Sequence, residues 1–180
     1  MLAMFLAEGF EEIEALAVVD ILRRAQIRID TVSISENYEV KGSHNIKVIS
    51  DLNISEFNAD NYDGFILPGG LPGTTNLENC DIVKDTLIWA NNKGKYICAI
   101  CAAPSVLGKL ELLNGKNATC YPGYEDSLIG AKHSTQKVVF DKNAITSKGA
   151  GTAHDFAFEI VKLFRGNNVA EDIKNAMQYW

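Results

Sequence analysis

The stretch Tyr96-Ile97-Cys98-Ala99-Ile100-Cys101-Ala102-Ala103-Pro104-Ser105-Val106-Leu107 decides how this chain is read. An apolar run of strand length, Tyr96–Ile100, enters Cys101 without a spacer, and small residues then open a helical pattern over Ala103–Leu110. A strand that becomes a helix at one reactive residue is the layout of a nucleophile elbow, whose sharp turn lifts a side chain out at the top of a sheet. Cys101 is then expected at a helix N-terminus, where the dipole and unpaired N–H groups favour a thiolate. The same stretch spells Cys-x-x-Cys. Cys98, however, falls inside the strand, so its thiol is expected to be buried and badly placed for a disulfide with Cys101.

Working outward, Leu2–Ala7 reads as a buried strand stopped by Gly9. From Glu11 the period changes: Ile13, Leu16, Ala17, Asp20, Ile21, Arg24 and Ala25 distribute over the faces of an amphipathic helix, acids in its first turn and Arg23 and Arg24 in its last. Ile27–Ile34 and Ile46–Leu52 read as strands, and Gly64–Leu67 as another that ends at Pro68-Gly69-Gly70. Asp81–Asn92 is helical, with Gly94 as its stop. Strands near Ala118, at Val138–Phe140 and at Ala144–Thr146 follow, then helices over Thr152–Phe164 and Val169–Met177. No repeat or linker interrupts the 180 residues, so residues 1–180 are expected to form one domain. Strands alternating with helices predict an α/β, doubly wound fold around a mostly parallel sheet.

Composition narrows the partners. The chain is 47% hydrophobic and 22% charged with net charge −6, and its charges of both signs are interleaved. No basic run invites nucleic acid. The first residues lack the basic start of a signal peptide and no apolar run approaches the ~20 residues of a membrane span, so a cytoplasmic location without a membrane partner is expected. Four cysteines do not make a disulfide framework at this size, and Cys80 and Cys120 read as small buried hydrophobes. His44, His133 and His154 lack ligand spacing, so no metal site is expected.

Parallel sheets gather ligands outside the carboxyl ends of their strands. Three loops should meet there: Glu8-Gly9-Phe10-Glu11-Glu12-Ile13-Glu14, Leu67-Pro68-Gly69-Gly70, and the turn around Cys101. Paired glycines let backbone N–H groups point into a site, which suggests an oxyanion-binding role for Gly69 and Gly70 together with Ala102. Glu12 reads as a solvated charge that complements the helix dipole. Glu14 falls on the side of Ile21 and is expected to turn inward, where burial would keep its carboxyl protonated. Such an acid beside a sulfur can donate a hydrogen bond to it and act as general acid/base.

Together these loops, with Val19-Asp20-Ile21-Leu22-Arg23-Arg24-Ala25 and Thr146-Ser147-Lys148-Gly149-Ala150-Gly151-Thr152, resemble the ThiJ/PfpI superfamily over nearly the whole chain. The likeness is to the branch of the Parkinson-disease-associated protein DJ-1 and its bacterial relatives. The resemblance implies a flavodoxin-like three-layer sandwich with a nucleophile elbow, a homodimer, Cys101 as nucleophile, Glu14 as its acid and Gly69, Gly70 and Ala102 as oxyanion-binding backbone. It implies cofactor-free conversion of methylglyoxal to lactate, deglycation of glycated amines, redox sensing or chaperoning. It also marks Glu11, Arg24, His44 and His133 as pocket or dimer-side candidates: His44 stands where the family has a substrate-side arginine, and Arg24 matches a dimer-side one. The peptidase branch has a histidine directly after its nucleophile; Ala102 is there instead, so peptide hydrolysis is not expected. What remains is a cysteine-dependent enzyme acting on small α-oxoaldehydes or their adducts, with oxidative-stress sensing through Cys101 as the alternative.

Overall fold

The computed structural model describes residues 1–179. Among these residues, eleven strands and six α-helices follow one another along the chain. They are β1 (Leu2–Leu6), α1 (Glu12–Arg24), β2 (Ile29–Ser33), β3 (Glu39–Lys41), β4 (Lys47–Ile49), β5 (Leu52–Asn53), β6 (Gly64–Leu67), α2 (Gly73–Asn79) and α3 (Asp81–Asn92). Then come β7 (Tyr96–Ile100), α4 (Pro104–Lys109), β8 (Asn117–Ala118), β9 (Lys132–His133), β10 (Val138–Asp141), β11 (Ala144–Ser147), α5 (Ala153–Arg165) and α6 (Asn167–Ala176).

The runs that lack polar residues are the central strands. All of β1 and β6 is buried, because helices cover both faces of the sheet. The two-residue period of a strand sorts β1 between two cores: Leu2, Met4 and Leu6 pack with α1 and α5, while Ala3, Phe5 and Ala7 face α3 and α4. On the second side Phe5 stacks with Phe65 and Phe57 with Tyr62, and Phe57 meets Phe5 and Phe65 edge-on. The sheet runs β10-β11-β7-β6-β1-β2-β5, parallel throughout except for the β10–β11 hairpin at one edge. Within it the neighbours β2-β1-β6-β7-β11 follow the flavodoxin-like order, so the fold is the α/β one expected.

Three local readings change. Ile46–Leu52 is two strands rather than one: β4 pairs antiparallel with β3 in a hairpin, while β5 joins the sheet beside β2. Asp51 makes the break, because its carboxylate turns back to accept from the Thr31 N–H and hydroxyl and from Arg23. The short elements β3, β9 and α2 carry no periodic signal. On α1 the buried face is Glu12, Glu14, Ala15, Val18, Val19, Ile21 and Leu22, which leaves Ile13 53% and Leu16 39% exposed. No helix among the described residues is long and apolar enough to cross a membrane.

Candidate active site

Cys101 sits immediately after β7 with φ +66, a left-handed conformation that costs energy for any side chain other than glycine's. The turn is held from both sides: its N–H donates to the Ser147 carbonyl at 2.9 Å, and its carbonyl accepts from the Tyr121 N–H at 2.7 Å. Ala102 and Ala103 are buried, and α4 begins only at Pro104. This corrects one expectation. Residues 101–103 form a separate turn ahead of a six-residue helix, so Cys101 is not in the first helical turn. The N–H groups that favour charge on its sulfur are those of Ala102 and Gly70.

Glu14 reaches the same point from α1. It is 1% exposed, and its Oε2 accepts the Gly69 N–H at 2.8 Å. Oε1 is buried without a hydrogen-bond partner. Only glycine fits at position 69: a Cβ there would stand 2.6 Å from Cys101 Cβ, 2.7 Å from Glu14 Oε2 and 3.1 Å from Cys101 Sγ. The Gly69 N–H is thus committed to Glu14. Gly70 and Ala102 remain as backbone donors toward sulfur, which removes Gly69 from the proposed oxyanion group. Gly70 itself has φ +89 and packs against the backbone of Gly9 and Phe10, joining the first and second loops.

Burial raises the Glu14 carboxyl from 4.5 to about 7, against the opposing pull of the Cys101 sulfur and the N–H groups of Gly69 and Ala150. Burial, and next the Glu14 carboxylate, push the Cys101 thiol up to about 12. The expected intrinsic acidity of Cys101 is therefore not found. The two groups titrate as one pair, whose first proton leaves near 7 and whose second leaves near 12. Between those values the pair carries one negative charge, which rests mainly on the carboxylate and reaches sulfur when the proton passes to the carboxyl.

The remaining candidates lie elsewhere. Glu11 caps α1, its Oε2 accepting the Glu14 N–H at 2.8 Å, so it orients the helix that carries the acid. Glu12 is not a solvated charge: it is 5% exposed and accepts from the His44 N–H at 2.7 Å, from Ser43 Oγ at 3.2 Å and from the Ile46 N–H at 3.4 Å. His44 Nδ1 lies 2.8 Å from Glu12 Oε2, so this carboxylate pins the β3–β4 hairpin to the start of α1. Glu11, Glu12 and His44 bring three donor atoms within 4.8 Å of one another, which their sequence spacing did not show. Arg24 pairs with Asp20 at the far end of α1, and His133 is an exposed residue of β9 opposite Ala118. Neither lines the cysteine pocket. Cys98 and Cys120 are buried thiols, whereas Cys80 is only half-buried at the start of α3.

Leu71, Tyr121 and Tyr124 went unnoticed in the sequence. With Gly70, Cys101 and Ala102 they enclose a recess of about 220 Å³. Tyr121-Pro122-Gly123 reads as a plain turn, and only the backbone bond to Cys101 reveals its place. Gly149 and Ala150 also approach the pair, a Cβ on Gly149 standing 3.9 Å from Cys101 Sγ.

A cysteine on a strained strand-to-helix turn, with a buried glutamic acid bound to the neighbouring strand's loop, defines a thiol-elbow protein of the flavodoxin-like class. The chain belongs to the DJ-1/PfpI family, which matches it over residues 2–163. It is 34% identical over 176 residues to protein dj-1beta of Drosophila melanogaster, covering 97% of this chain and 94% of that protein. It is 32% identical over 164 residues to the glutathione-independent glyoxalase DJR-1.2 of Caenorhabditis elegans, covering 88% and 85% respectively. The solved structure of Toxoplasma gondii DJ-1, oxidized, superposes with a TM-score of 0.95 at 30% identity, covering 99% of this chain and 97% of that one.

Proposed function

We propose that this chain is a cofactor-independent glyoxalase that converts small α-oxoaldehydes such as methylglyoxal to α-hydroxy acids. The observation that carries the reading is a buried Glu14 carboxyl set beside Cys101 at the foot of an apolar recess: sulfur is nucleophilic when the proton of the pair rests on the carboxyl. In that form Sγ adds to the aldehyde carbon, and Glu14 delivers its proton to the resulting alkoxide. The carboxylate then takes the hydrogen of that carbon as a proton and returns it to the neighbouring keto carbon, while the hydroxyl proton passes from the first oxygen to the second. The keto carbon becomes CH(OH) and the aldehyde carbon a thioester. Water breaks the carbon–sulfur bond, releases the acid and restores the thiol. The aldehyde is oxidised and the ketone reduced within one molecule, so no external redox partner enters. The N–H groups of Gly70 and Ala102 are the donors available to the developing oxyanion.

The experiment is lactate formation from methylglyoxal, followed in the protein as it stands and in Cys101→Ser and Glu14→Gln. Both substitutions should abolish turnover; normal rates in Cys101→Ser end the proposal. Deglycation of methylglyoxal adducts would use the same thiol. A relative whose solved structure is described as oxidized supports a second reading, in which peroxide converts Cys101 to a sulfinate with loss of two waters from two peroxides. Intact mass after mild peroxide should then show two added oxygens that Cys101→Ser lacks. We also infer a homodimer, supported by the exposed apolar side chains of Ile13 and Leu16 on α1 and of Ile46 and Ile49 on the hairpin, which sedimentation would test.

A further inference from the structure

We propose that Tyr121 sets the specificity of the Cys101 site, selecting α-oxoaldehydes that carry a flat, apolar side group over methylglyoxal; this rests on the aldehyde chemistry above. The recess at Cys101 holds about 220 Å³, whereas a water in the liquid takes about 30 Å³. Methylglyoxal bound to sulfur would leave most of that space to water. Apart from the reacting sulfur its lining offers no charged side chain: beyond Gly70, Cys101 and Ala102 the walls are Leu71, Tyr121 and Tyr124. An aryl ring packed against the tyrosines of this lining displaces the water and gains stacking or edge contacts.

Tyr121 is the wall held in place. Its N–H is fixed to the Cys101 carbonyl at 2.7 Å, and its own carbonyl accepts the Tyr124 N–H at 3.1 Å. Its ring rests against Gly149, where a Cβ would stand only 3.3 Å from Cδ2. Tyr121 also borders a second recess of about 360 Å³ together with Lys148, Gly149 and Thr152. Tyr121 is thus shared by the apolar recess at the sulfur and by a larger one that a basic residue borders.

The test compares kcat/KM for phenylglyoxal and methylglyoxal in the unaltered protein, Tyr121→Phe and Tyr121→Ala. Phenylglyoxal should lead by about tenfold, the lead should persist in Tyr121→Phe, and it should fall to less than threefold in Tyr121→Ala. Equal constants in the unaltered protein, or a ratio that Tyr121→Ala leaves in place, overturn the assignment. A second readout does not need turnover: the rates at which phenacyl bromide and bromoacetone alkylate Cys101, each relative to a free thiol. The aryl reagent should be favoured about tenfold, and Tyr121→Ala should remove that preference. If neither aldehyde turns over, the glyoxalase reading fails, while the alkylation ratio still decides whether the recess selects aryl groups. An alkylation ratio near one overturns the inference.

Discussion

Replacing Glu14 by glutamine should stabilise the fold at alkaline pH and leave it unaffected by this term in acid. The carboxyl titrates at 4.5 in the unfolded chain and at about 7 in the folded one, because burial opposes its charge. Below 4.5 both states bind the proton and nothing is lost. As pH rises from 4.5 through 7 the unfolded state releases its proton first, so folding must retain a proton that the solvent would take. A rise from 4.5 to about 7, at about 1.4 kcal/mol for each tenfold in proton affinity, makes the deficit about 3 kcal/mol once pH exceeds 7. Glutamine has no such term, and its amide oxygen can still accept the Gly69 N–H. The comparison is cleanest with Cys101→Ser in both proteins, so that only one member of the pair titrates. Urea unfolding at pH 4.5 and pH 8 gives the stability difference at each end. The gain from Glu14→Gln should grow by about 3 kcal/mol across that range. A difference that stays constant with pH, or shrinks toward pH 8, would refute a buried carboxyl holding its proton near neutrality.

Two further outcomes follow from the packing. Gly69→Ala places a methyl against both Cys101 Cβ and Glu14 Oε2, so it should lose at least a hundredfold in methylglyoxal turnover and about 1–3 kcal/mol in stability; near-normal activity would show that the pair tolerates separation. The Glu12 carboxylate holds the His44 imidazole in its charged form, so NMR titration should find His44 above the ordinary histidine value and Glu12→Gln should bring it back.

The elbow was legible because its geometry is written in consecutive residues: an apolar strand, one cysteine, small residues, then Pro104. The same holds for Glu14, since its register with Ile21 on α1 places it inward. What stayed hidden depends on contacts distant in the chain. Glu12 occupies a helix-start position that normally favours a solvated acid, and only the return of the β3–β4 hairpin 31–34 residues later buries it. Gly69 looked like one of two equivalent oxyanion donors. Its N–H is spent on Glu14, 55 residues earlier in the chain, whereas Gly70 faces the sulfur. Tyr121 belongs to a turn without periodicity and enters the site through one backbone bond. The short strand β3 and the helix α2 form because neighbours supply their partners, not because their residues prefer those states.

The absence of a histidine beside Cys101 gives the site a different pH dependence from a cysteine–histidine pair. There, moving the proton separates two opposite charges at constant total charge. In the Cys101–Glu14 pair the total charge falls from zero to −1 near pH 7 and to −2 only near 12, because a second negative charge in the same buried space is strongly opposed. The nucleophilic arrangement, sulfur charged and carboxyl protonated, exists only in the −1 state. Its fraction is fixed by the proton's division between oxygen and sulfur and does not change with pH once that state is full. Profiles of kcat/KM for methylglyoxal should therefore climb through about pH 7 and stay level well beyond the ordinary thiol value of 9. An isolated thiol would instead give a rise centred near 9, and that result would separate Cys101 from Glu14 as a working pair. In Glu14→Gln the step at 7 should disappear from the rate of Cys101 alkylation, leaving a single ionisation that belongs to sulfur alone.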